Sequence, residues 1–103
     1  MNKKELRTVL LVEDSLADAE MAMDALAEAH LANPVVHVED GVECMDYLYM
    51  RGAWANREPG NPAVVLLDIK MPRMNGLDVL TAMRADERMR RIPVVILSSS
   101  REE

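Results

Sequence analysis

Three acids stand at the ends of two apolar runs in this chain. Glu13 and Asp14 close Arg7-Thr-Val-Leu-Leu-Val12, and Asp68 closes the run through Val64-Val-Leu-Leu67. A further run, Ile92-Pro-Val-Val-Ile-Leu97, leads into Ser98. Apolar runs of this length, bounded by Pro and Gly signals, read as strands buried on both faces of a parallel sheet. In such a sheet all the C-terminal strand ends share one edge, and that edge is where ligands bind. If these three runs are neighbours, three carboxylates and a hydroxyl converge there. Carboxylates held so close cannot all stay ionised unless a cation joins them or one takes a raised pKa. An all-oxygen set suits a hard ion, Mg²⁺ above all. A carboxylate held beside a metal can itself attack a phosphoryl group, and Asp68, alone at the end of the central run, is the candidate nucleophile.

Plainer readings exist for each residue. Any one acid serves well as an N-cap or turn residue at a strand–helix junction, but caps are satisfied by Ser, Thr or Asn without added charge, so three acids at two strand ends fit that reading less well. A glycosidase pair needs a sugar cleft that so small a chain does not offer. There is no Gly-Lys-Ser/Thr phosphate loop, no dinucleotide glycine fingerprint after the first run, and no Cys or paired His set for zinc.

The elements that must position these acids follow from the pattern. The first strand, 7–12, is followed by Ser15 as a plausible N-cap, with Asp18 three residues on as a weaker capping-box acid. An Ala-rich helix then runs over 16–31, with Leu16, Ala19, Met23, Leu26 and His30 on its apolar stripe. Asn33-Pro34 breaks it. Val35–Val38 is a second strand, closed by Glu39-Asp40-Gly41, and a second helix covers about 42–51 with Val42, Met45 and Leu48/Tyr49 facing inward. Ala53–Pro62 reads as a loop of about ten residues, longer than usual, with Trp54 anchoring it to the surface. The central strand, 63–67, comes next. Asn75 then caps a third helix to about residue 88, with Leu77, Leu80 and Met83 on its core face, before the strand at 92–97. Strands alternating with helices in this way imply an α/β fold: a doubly wound parallel sheet with right-handed crossovers.

At 103 residues the chain is one domain at most. Half of it is apolar and 29% is charged, which makes it globular and not disordered. A formal net charge of −6 argues against a nucleic-acid partner. The Arg84 and Arg88-Met-Arg-Arg91 cluster reads as charge complementing a helix C-terminus. No apolar run is long enough to cross a bilayer, no signal-peptide core is visible, and the single Cys44 reads as a helix packing residue. A cytoplasmic location is the expectation.

The residues quoted above closely resemble the receiver domain of two-component response regulators. The resemblance rests on Leu10-Leu-Val-Glu-Asp14, Leu66-Leu-Asp-Ile-Lys-Met-Pro-Arg-Met-Asn-Gly76 and Ile92-Pro-Val-Val-Ile-Leu-Ser98, in that order and spacing. It implies a flavodoxin-like fold with strand order 2-1-3-4 and no turnover enzyme in the ordinary sense. It also implies that Asp68 accepts a phosphoryl group from a histidine kinase. Glu13, Asp14, Asp68 and the backbone carbonyl of Lys70 would hold Mg²⁺, Ser98 would be the switch hydroxyl, and Met71-Pro72 and Gly76 would shape the loop beside the site. The Ser15-Leu-Ala-Asp18 run and the stretch from Tyr47 to Trp54 are similar to small single-domain receivers paired with phytochrome-type kinases.

A full receiver of that family has a fifth strand ending in Lys and two more helices. Residues 1–103 therefore read as a single, C-terminally truncated receiver domain, and impaired switching is the expectation. An exposed fourth strand predicts a homodimer or higher self-association. The rival expectation is an unphosphorylated remnant that acts as a dimerisation or protein-interaction module.

Overall fold

A computed structural model describes residues 7–97. The element order is β1 (Val9–Val12), α1 (Leu16–Glu28), β2 (Val35–Val38), α2 (Gly41–Tyr49), one 3₁₀ turn (Gly52–Trp54), β3 (Val64–Asp68), α3 (Gly76–Ala85) and β4 (Val94–Leu97). The four strands form one parallel sheet in the order β2-β1-β3-β4. This is the doubly wound α/β architecture with the strand order that the resemblance implied.

The apolar runs became central strands because they could be buried on both faces. All four residues of β1 are buried, and Leu10, Val12, Val65 and Leu67 sit at the middle of the core. β4 is an outer strand of the described sheet, with Val95 48% and Ile96 39% exposed.

Capping residues set the helix starts as read. The Ser15 hydroxyl accepts from the Asp18 N–H at 3.2 Å, and the Asn75 side chain accepts from the Asp78 N–H at 2.9 Å. Each satisfies one of the donors that a helix N-terminus leaves over. Cys44 is fully buried on α2, where desolvation pushes its thiol up to about 12, so it packs and does not react.

The helix stripes need correction. Leu16 is 64% and Leu77 is 54% exposed, whereas both were expected on core faces. Each lies in the first two residues of its helix, and helical side chains lean toward the N-terminus, so these two overhang the helix end instead of meeting the sheet. The core face of α3 is Val79 and Met83, with Leu80 partly buried. His30 lies beyond the end of α1, exposed, in the left-handed region at φ 62°. On α2 the buried side chains are Cys44, Met45, Tyr47 and Leu48; Met45 and Leu48 face inward as expected, Tyr49 packs partly buried against the core, and Val42 is only half-buried.

α3 also stops three residues earlier than expected. The Asp86 carboxylate accepts from the Arg88 N–H and from the Tyr49 hydroxyl, which turns the chain out of the helix. Only Arg84 lies in the last helical turn, so the dipole reading holds for it alone. Arg88 instead places its guanidinium 5.2 Å from the Tyr49 ring centroid.

The long connection from α2 to β3 is pinned at two points. Trp54 meets the Tyr47 ring edge-on at 5.0 Å and donates its indole N–H to Glu43 at 3.2 Å, which makes it the anchor it was expected to be. Arg57 lies over the Tyr47 ring at 4.1 Å and donates to the backbone carbonyls of Tyr47, Glu58 and Gly60.

Candidate metal and acceptor site

The parallel register brings the acids together. Val12 pairs with Leu67, so the next residues along, Glu13 and Asp68, leave the sheet side by side. Carboxylate oxygens of Glu13, Asp14 and Asp68 all lie within 4.8 Å of one another at the C-terminal edge. Glu13 and Asp68 are 5% and 1% exposed, so two of the three charges are almost wholly removed from water. Lys70 is exposed, two residues beyond β3. Ser98 lies outside the described residues.

Local contacts fix Glu13. Its carboxylate accepts from the Ser15 N–H at 2.9 Å, and its backbone carbonyl lies 2.8 Å from His37 Nε2 on the neighbouring strand. Burial raises its pKa above the ordinary 4.5; the bond from Ser15 opposes that shift, and the Asp68, Asp18 and Asp14 carboxylates add to it.

The sign of the resulting pH dependence follows. The folded chain holds the Glu13 proton to higher pH than the unfolded chain does. The protonated form therefore favours folding, and that contribution is lost as pH rises from 4.5 through the folded-state pKa. In metal-free protein, the denaturation midpoint of the parent minus that of Glu13→Gln should fall as pH rises through this window. A difference that stays flat or rises would contradict the reading.

The donor set fits Mg²⁺. Mg²⁺–oxygen distances are roughly 2.0–2.1 Å, so oxygens on opposite sides of such an ion lie about 4.2 Å apart, close to the spacing of these three carboxylates. A divalent cation would also offset the mutual repulsion that helps raise the Glu13 pKa.

The loop from β3 to α3 is held close against the site. The Gly76 N–H donates to the Ile69 carbonyl at 2.8 Å. A Cβ on Gly76 would stand 2.3 Å from the Asp68 carbonyl oxygen, so only glycine lets α3 start so near the acid. On the other side of the loop Arg73 forks onto Asp40 with bonds of 2.7 and 3.0 Å. A Cβ on Gly41 would meet the Met74 carbonyl at 2.1 Å. Sequence reasoning did not pair Arg73 with Asp40: they are 33 residues apart, and no motif links them.

A parallel α/β sheet in the order β2-β1-β3-β4, with Glu13, Asp14 and Asp68 gathered at its C-terminal edge, is the architecture of a receiver domain. The chain belongs to the response regulator receiver domain family, whose pattern matches residues 9–103. The chain is similar to response regulator Rcp1 of Synechocystis sp., at 32% identity over 94% of this chain and 65% of that protein. The Mn²⁺-bound form of Rcp1 superposes with a TM-score of 0.82, covering 94% of this chain and 68% of that one. The bacteriophytochrome response regulator AtBRR is 50% identical, with a TM-score of 0.90 over 94% of this chain and 69% of that one. The phosphorylated cyanobacterial phytochrome response regulator RcpA is 39% identical, with a TM-score of 0.82 over 94% of this chain and 68% of that one. The chain thus spans about two thirds of the length of these relatives. Among the described residues no helix is long and apolar enough to cross a membrane.

Proposed function

We propose that this chain is a Mg²⁺-dependent phosphoacceptor receiver that takes a phosphoryl group onto Asp68 from a histidine kinase of the phytochrome type. The observation that carries this reading is the convergence of Glu13, Asp14 and Asp68 within 4.8 Å, with Asp68 buried at the end of β3. The phosphorylated structure of RcpA, the Mn²⁺-bound structure of Rcp1 and the bacteriophytochrome partnership in the name of AtBRR support it.

Glu13, Asp14 and Asp68, with the Lys70 backbone carbonyl, would hold the cation. Bound there, Mg²⁺ offsets the negative charge that gathers on the transferring phosphoryl oxygens. A carboxylate oxygen of Asp68 attacks phosphorus in line, the P–N bond to the donor imidazole breaks, and the electron pair leaves with the imidazole. Asp68 is then a mixed anhydride. Ser98, which follows Leu97 in the chain and lies outside the described residues, would be the switch hydroxyl that meets the phosphoryl group.

Intact-protein mass after incubation with a small phosphoryl donor and Mg²⁺ tests this. One added phosphoryl group is expected, mapped by fragmentation to Asp68 and absent when the cation is chelated. Folded protein that gains no mass would overturn the reading.

A further inference from the structure

We propose that Arg73 is a positioning residue: its fork onto Asp40 braces the loop from β3 to α3 and so sets the affinity of the acidic site for its divalent cation. This rests on the metal-binding reading above. The loop leaves Asp68, carries Lys70, and must hold its path if the site is to keep its shape.

That path is not one the loop would keep unaided. Arg73 has φ 68°, in the left-handed region that residues with a Cβ seldom adopt. The Met74 N–H closes onto the Pro72 carbonyl at 2.7 Å across it, a three-residue turn of the rarer, strained γ type. Something must over-determine such a turn for it to persist.

The Arg73 side chain does so. Its Nε and Nη2 donate to the two oxygens of Asp40 at 2.7 and 3.0 Å, the planar two-point geometry that only arginine offers. Asp40 is itself fixed, because Oδ1 also accepts from the Glu43 N–H at 2.8 Å as the N-cap of α2. The Arg73 guanidinium holds the Asp40 carboxyl below the usual carboxylate range, so the pair stays ionised at neutral pH. Next to it, the Met74 carbonyl seats on Gly41 where no Cβ intervenes. The site loop is thereby tied to the first turn of α2.

The sign of one substitution separates bracing from simple electrostatics. Arg73 carries a positive charge on the loop that leaves Asp68, so through the field alone its loss should tighten cation binding. If Arg73 is a brace, its loss should weaken binding. The experiment is calorimetric titration of the full chain with Mn²⁺ alone, for the parent, Arg73→Ala, Arg73→Lys, Asp40→Asn and Arg73→Ala/Asp40→Asn, with backbone ellipticity confirming that each is folded.

Arg73→Ala is expected to bind Mn²⁺ about tenfold more weakly, the scale typical of supporting contacts around a metal site. Arg73→Lys should lose several-fold of affinity, because the fork is gone although the charge remains. The double variant should be no weaker than the Arg73→Ala single variant. Unchanged or tighter binding by Arg73→Ala, or by Arg73→Lys should the alanine variant not fold, would overturn the brace and leave the metal site standing. A parent chain that binds no Mn²⁺ would overturn the metal reading and the brace with it.

Discussion

Asp68→Ala is expected to stay folded, to gain no phosphoryl mass, and to bind Mn²⁺ about a hundredfold more weakly than the parent. The absence of added mass follows from chemistry: the nucleophilic oxygen is gone, and Glu13, held by Ser15 at the neighbouring strand end, is not placed at the end of the central strand. The weaker Mn²⁺ binding follows from charge. The site loses one of its three carboxylates, an oxygen that would lie roughly 2 Å from the ion; water takes its place without the charge, and a net loss of about 2.7 kcal/mol is about a hundredfold. Asp68→Asn is the companion variant, since it keeps an oxygen and the side-chain shape while removing the charge. If Asp68→Ala gained the same mass as the parent, the acceptor would lie elsewhere in the chain.

Gly76→Ala should cost about 3 kcal/mol of stability. The added methyl would lie 2.3 Å from the Asp68 carbonyl oxygen and 2.9 Å from Ile69 Cα, both backbone atoms that cannot swing aside. α3 must back away from β3, which strains packing by about 1–3 kcal/mol and stretches the Gly76–Ile69 hydrogen bond, worth about 1 kcal/mol. The better helix propensity of Ala opposes this by at most about 1 kcal/mol. For a domain of this size the melting temperature should fall by roughly 15 °C. The same displacement moves the backbone of Asp68, so Mn²⁺ affinity should fall together with stability. A melting temperature equal to the parent's would show that the helix start can shift without cost.

The acids were legible because strand ends are legible. An apolar run that stops at a carboxylate announces both a buried strand and the edge it reaches, so Glu13, Asp14 and Asp68 could be placed on one edge of the sheet, and together if their strands were neighbours. The order of the strands came from the family resemblance; periodicity alone does not carry it. Helix faces were read less well at their first turns, where Leu16 and Leu77 fit a 3–4 residue spacing but have no sheet beneath them. The Arg73–Asp40 fork was not legible at all. Its geometry depends on a left-handed residue in one loop meeting the cap of another helix, and neither residue type forces that conformation. The role of Arg57 was equally hidden, since its partners are backbone carbonyls and carry no sequence signature.

The chain has one tryptophan, and its place in the fold decides what light reports about this molecule. Trp54 sits outside the sheet, edge-on to Tyr47, with its indole N–H on the Glu43 carboxylate. A nearby anionic acceptor and partial exposure make its emission sensitive to whether the long loop is docked, and Tyr47 at 5.0 Å is close enough to pass excitation to it. An emission-based melting curve therefore reports detachment of that loop from α2, and far-ultraviolet ellipticity reports loss of the helices and sheet; unfolding in one step makes the two curves coincide.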